Sequence, residues 1–115
     1  MMENLLTVAF EAHNSDLNHH RRYEISVGID LFGASTVTFR YGRAGRSGQE
    51  MRHASADPIR LKQLIQQCLT RRLSAPKRIG CRYALVELDA IDQSLASQWL
   101  PAGFMSQFGN TSRGA

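Results

Sequence analysis

Tyr23-Glu24-Ile25-Ser26-Val27-Gly28-Ile29-Asp30 alternates large apolar side chains with polar or small ones, without a break across eight residues. A period of two places one set on each face of a strand, so this segment is a strand buried on one side. Downstream, Phe32-Gly33-Ala34-Ser35 supplies small turn residues, and Val37, Phe39 and Tyr41 then alternate with Thr38 and Arg40 as a second strand. Gly42, Gly45 and Gly48 punctuate a tight basic turn, after which residues 49–54 return as a weaker strand. Upstream, residues 5–10 read as a short strand with Leu6, Val8 and Phe10 on one face, followed by a polar, turn-rich stretch over residues 13–18. Strand, turn and strand in succession make an antiparallel meander.

The period changes after Asp57-Pro58. An acceptor side chain followed by proline is a helix start. Leu61, Leu64, Ile65, Cys68, Leu69 and Leu73 then recur at helical spacing as one apolar stripe, opposite Lys62, Gln63, Gln66, Gln67, Thr70 and Arg71. Such a stripe has to be covered, and the sheet is what the chain offers to cover it. Ser74 and Pro76 end the helix; residues 82–91 read as a last strand; Leu95, Trp99 and Leu100 fit a short docking helix. The expected fold is α+β, an antiparallel β-sheet with one amphipathic helix packed across one face. The expected organisation is one domain over residues 1–91, a C-terminal extension over 92–108 and a disordered tail over 109–115.

A chain of 115 residues with 43% hydrophobic content buries a core without staples. Cys68 falls on the apolar stripe, and neither it nor Cys81 has metal-ligand spacing. The longest apolar runs are far too short to span a bilayer. Met1-Met2-Glu3-Asn4 lacks the basic and apolar parts of a secretory leader, so a cytoplasmic location is expected.

Charge is segregated. Net charge is +4, yet residues 36–83 hold eleven cations and two acids, leaving three cations and eight acids for the rest of the chain. Twelve of the fourteen cations are arginine, whose planar fork suits phosphates and base edges. A segregated positive region is the footprint of a polyanion binder.

Little in the chain points to catalysis. The acids are scattered, and no pair has the spacing of a general acid and base. His19 and His20 are neighbours before a strand, where they point to opposite faces and make poor joint metal ligands. Gly42-Arg43-Ala44-Gly45-Arg46-Ser47-Gly48 is glycine-rich like a phosphate loop, but lacks the Gly-Lys-Ser/Thr ending and leads into a strand. No catalytic residue, metal or cofactor is expected. The same turn is the best binding candidate, because Arg40, Tyr41, Arg43 and Arg46 gather three guanidiniums and one aromatic ring. Tyr41 has two readings: a stacking face at the sheet's rim, or a core residue sharing the parity of Val37 and Phe39.

Tyr23-Glu24-Ile25, then Asp30-Leu31-Phe32-Gly33, then Val37-Thr38-Phe39-Arg40-Tyr41-Gly42-Arg43-Ala44-Gly45-Arg46-Ser47-Gly48-Gln49 resembles the WGR domain. That family is named for a Trp-Gly-Arg triplet that ends one strand and enters a glycine turn; it occurs in poly(ADP-ribose) polymerases and as short bacterial proteins. Arg71-Arg72 and Arg78-Ile79-Gly80-Cys81-Arg82-Tyr83 are similar to the basic end of the family's helix and last strand. The resemblance spans residues 5–88. It implies an antiparallel sheet with a helix across one face, and DNA binding, often at broken ends, with the triplet aromatic stacking and the triplet arginine contacting nucleic acid or a neighbouring domain. Here the aromatic is Tyr41, which keeps a stacking face but has less area. No ADP-ribosyl transfer is implied. The expected site is Tyr41, Gly42 and Arg43 with Arg40, Arg46, Lys77 and Arg78 in support. The expected partner is nucleic acid, DNA before RNA, without a membrane. The rival expectation is a protein-interaction module that docks on a separately encoded enzyme.

Overall fold

A computed structural model describes residues 3–74, 82–101 and 103. Among the described residues, β1 (Glu3–Asn14), β2 (His19–Ile29), β3 (Ser35–Arg43), β4 (Gln49–Ser55) and β5 (Ala84–Ala90) form one antiparallel sheet in the order β4-β3-β2-β1-β5. Helix α1 (Pro58–Leu73) and the short helix α2 (Ser94–Trp99) complete the described elements.

Each reversal of the chain has a local cause. Between β1 and β2, a single 3-10 turn (Ser15–Leu17) is capped by the Asn14 side chain, which accepts from the Leu17 amide, and it closes through Asn18 in the left-handed region at φ 54°. Between β2 and β3, the Asp30 carboxylate accepts from the amides of Phe32 and Ala34 at 2.9 and 3.0 Å, an Asx-type turn that fixes the loop tip. Between β3 and β4, Gly42 and Gly48 cross so closely that a Cβ added at Gly42 would lie 2.8 Å from the Gly48 Cα. The Asp57 carboxylate accepts from the Ile59 amide and starts α1; the Ser74 hydroxyl donates to the Arg71 carbonyl and ends it.

The register builds the core. Phe10 pairs with Tyr23 and Val8 with Ile25; Tyr23, Ile25 and Val27 in turn pair with Tyr41, Phe39 and Val37. These side chains, with Leu6 and Leu85, form one buried face, which α1 covers with Leu61, Ile65 and Leu69. Trp99 and Leu100 belong to the same cluster, and Lys62 Nζ sits 5.4 Å from the Trp99 ring centroid, so α2 lies beside α1 over the sheet. The indole therefore takes part in the fold, a role its sequence context left open.

Two expectations need adjusting. The first strand runs to Asn14, past the expected residue 10, because His13 and Asn14 pair with His20 and His19 instead of forming a turn. The apolar stripe of α1 is also sunk unevenly: Leu64 and Cys68 are half-buried and Leu73 is exposed. The helix touches β3 and β4 along one line of side chains, and its Leu64–Cys68 flank borders a groove.

Candidate nucleic-acid interface

The site is built where β3 ends. Tyr41 keeps the parity of Val37 and Phe39, so its ring lies on the helix side of the sheet, half-buried against the core, with its hydroxyl 3.7 Å from Met51 Sδ on β4. Arg40, one residue earlier, has the opposite parity and points to the helix-free face. Gly42 then lets the chain turn sharply, and Arg43 reaches back to the β1–β2 turn, where its guanidinium donates to the Asn18 carbonyl and side-chain oxygen at 3.3 and 3.2 Å. Arg46 is exposed at the turn's tip, its amide bonded to the Arg43 carbonyl.

Two hollows flank Gly42. The larger, about 520 Å³, opens on the helix side between the end of α1 and the sheet. Tyr23, Phe39, Leu64 and Cys68 form its inner wall, and Tyr41, Met51, His53 and Tyr83 stand around it. Arg21, Arg71 and Arg72 complete it, three guanidiniums in a lining that contains no carboxylate among the described residues. The smaller, about 120 Å³, lies beside Arg22, Glu24, Arg40, Arg43, Arg46 and Ser47.

The two faces of the sheet differ in electrostatics. On the helix-free face, Arg22 bridges Glu11, Glu24 and Glu87 at 2.8, 3.2 and 3.2 Å. Arg40 pairs with Glu50, and Arg52 lies 3.9 Å from the same carboxylate. A hydrogen bond from Arg40 holds the Glu50 carboxyl below its usual range. The Glu11 carboxyl is pulled upward by burial, but hydrogen bonds from His13 and Arg22 outweigh this and leave it below its usual range. Each of these arginines faces at least one carboxylate. On the groove side, Arg21 makes no ion pair among the described residues, and the Arg72 guanidinium carbon lies 3.9 Å from the Tyr23 ring centroid. Burial, with the Cys68 thiol close by, pushes the Tyr23 phenol far up, so it stays neutral beneath that cation.

Of the residues expected at the site, Arg40, Tyr41, Gly42, Arg43 and Arg46 all border the smaller hollow at the turn, with Arg40 in a salt bridge to Glu50. Lys77 and Arg78 lie outside the described residues. The sequence reading missed Arg21, Met51 and His53. Arg21 was legible: it is two residues before Tyr23, shares its parity, and pairs with Arg43 across β2 and β3. Met51 and His53 had no such signal, since their strand was read as weak and its faces were not assigned. His20 meets His13 at 2.9 Å between Nδ1 atoms, and no group of three potential metal ligands occurs among the described residues.

A profile of the WGR domain matches residues 6–73. The chain belongs to the WGR domain family. Its antiparallel sheet and the helix packed on it are those the resemblance implied. In poly(ADP-ribose) polymerases the WGR domain is a module of nucleic-acid-binding type. No curated protein matches the chain. No described helix of this WGR protein is long and apolar enough to cross a membrane.

Proposed function

We propose that the chain is a non-catalytic module that binds nucleic acid, DNA in preference to RNA, at ends or breaks. One observation carries the reading: Arg21, Arg43 and Arg46, which make no ion pair among the described residues, stand at the glycine turn and the groove beside it, while Arg22 and Arg40 on the helix-free face are paired with Glu11, Glu24, Glu87 and Glu50. A polyanion docking on this edge has no carboxylate of the groove to displace. Tyr41 and Arg43 are the centre of the proposed site and Arg46 a supporting charge, with Lys77 and Arg78 assigned the same role from sequence. The test is a titration against single-stranded, blunt duplex, nicked and circular DNA and duplex RNA at two salt concentrations. We expect binding that weakens with salt, by about 0.9 in log affinity per log salt for each duplex phosphate neutralised. A slope near zero overturns the electrostatic mode, and equal affinity for circular and broken duplexes removes the preference for ends.

A second reading, docking on a separately encoded protein, is favoured by the far end of the sheet. There the Asp30 turn presents Phe32 at 93% exposure beside exposed Leu31. A rigid apolar tip is a feature of protein interfaces. Phe32→Ser that abolishes partner capture while leaving DNA binding intact assigns this end to that second role.

A further inference from the structure

The groove beside Tyr41 is larger and more apolar than a phosphate clamp needs. Phosphate oxygens require donors, and an apolar wall gives them nothing. The inner surface here is aromatic and aliphatic: Phe39 and Tyr23 stack at 6.1 Å between centroids, and Leu64 and Met51 stand on either side. Exposed Arg21 and Arg71 border the opening, and Arg72 lies half-buried over Tyr23 with its Nε sequestered from solvent and unpartnered. Apolar surface within and cations at the edge match a ligand with a flat apolar body and an anionic tail. At about 520 Å³ the space falls within the roughly 300–1,000 Å³ of sites that enclose small organic ligands.

We infer that this groove receives the base of an unpaired nucleotide, with its phosphate held by Arg21 and Arg71. A base inside a duplex is stacked on both faces and cannot enter a groove walled by a helix and a sheet; a base in an overhang or gap is free to leave the stack. The inference deepens the nucleic-acid reading, on which it rests for the strand that carries the base, and makes the preferred substrate a duplex with a single-stranded extension. A free mononucleotide offers the same chemistry and is the second arm of the test.

The experiment uses the full chain. Affinity is measured for a blunt duplex and for the same duplex bearing a short overhang with a fluorescent adenine analogue at its terminal position. Separately, the methyl resonances of Leu64 and Met51 are followed during titration with deoxyadenosine monophosphate. Expected are roughly tenfold tighter binding of the overhang substrate, the gain of one stacked base, a change in the analogue's fluorescence, and shifts of both methyl signals. Met51→Glu, on an exposed edge-strand position, sets a carboxylate beside the groove and brings the overhang-to-blunt ratio to about one; Leu64→Trp fills the same space and does likewise. Equal affinity for both substrates with unmoved methyl signals overturns the groove while blunt-duplex binding keeps the nucleic-acid reading intact. Methyl shifts with the mononucleotide and no binding of any DNA support the groove as a nucleotide site and sink the nucleic-acid reading instead.

Discussion

The guanidinium of Arg72 stacks on the ring of Tyr23, 3.9 Å from its centroid, and so ties the last turn of α1 to the middle of the sheet. The ring is buried, and Phe39, diagonal to it across β2 and β3, stacks close to it. A desolvated cation–π pair of this kind contributes about 1–2 kcal/mol. Arg72→Ala is expected to lower stability by about that amount in chemical denaturation. Arg72→Lys recovers part of the loss, because an ammonium lacks the planar overlap. An unchanged midpoint for Arg72→Ala shows that the stack contributes nothing.

Two neighbouring positions on α1 differ in cost. Ile65 is fully buried, so Ile65→Ala loses about 2–5 kcal/mol. Leu64 borders the groove and keeps part of its surface in water, so Leu64→Ala loses less, about 1–2 kcal/mol. Equal losses in parallel denaturation curves place Leu64 as deep as Ile65 and close the groove.

Arg43 and Arg40 lie three residues apart and are expected to behave differently toward DNA. Among the described residues Arg43 bonds to the neutral Asn18 and makes no ion pair, so Arg43→Ala weakens binding and lowers the salt slope by about 1 if it meets a phosphate. Arg40 is held by Glu50 on the helix-free face, so Arg40→Ala leaves the slope unchanged. Tyr41→Ala loses about 1–3 kcal/mol of stacking at constant slope, and Tyr41→Trp binds blunt duplex at least as well. A folded Arg43→Ala protein with normal affinity moves the site elsewhere.

Glu11 makes stability depend on pH. Burial raises its pKa, yet bonds from His13 and Arg22 hold the folded-state value below the ordinary 4.5. A carboxylate with a depressed folded pKa stabilises the native state above its unfolded pKa, and that stabilisation fades as pH falls through the folded value. Glu11→Gln is expected to cost about 1 kcal/mol near neutrality. The gap from wild type narrows below pH 4.5 and closes under the folded pKa. Denaturation curves that stay parallel from neutral to acid pH contradict this linkage.

The crossing of Gly42 and Gly48 leaves no room for a side chain. Gly48 has φ +69°, and a Cβ there would run into the Tyr41 carbonyl. Gly48→Ala is expected to cost about 1–3 kcal/mol of left-handed strain, with the clash against the Tyr41 carbonyl added to it. Gly45 has open space around it, so Gly45→Ala costs only the left-handed strain of its φ +85°. Thermal melts of the two variants give the order; a Gly48→Ala protein as stable as Gly45→Ala refutes the crossing.

Local chemistry already written in the chain was enough to read most of the fold. The alternation from Tyr23 to Asp30, the Asp57-Pro58 cap and the α1 stripe each depend on neighbours close in sequence, and all three appear where expected. The Arg40-Tyr41-Gly42-Arg43 run likewise marked the turn. What parity within one strand could not settle was which cations remain available. Arg40 is paired with Glu50, ten residues away, and that contact appears only once β4 is paired into the sheet. Arg21, Met51, Leu64 and Arg72 come from three elements, and the groove they share forms where α1 packs on the sheet with Leu64 and Cys68 half-covered. Sequence periodicity states which face of a helix is apolar; how far along the sheet that face sits depends on the packing of all the layers at once, and that long-range fit is what opened the groove beside Tyr41.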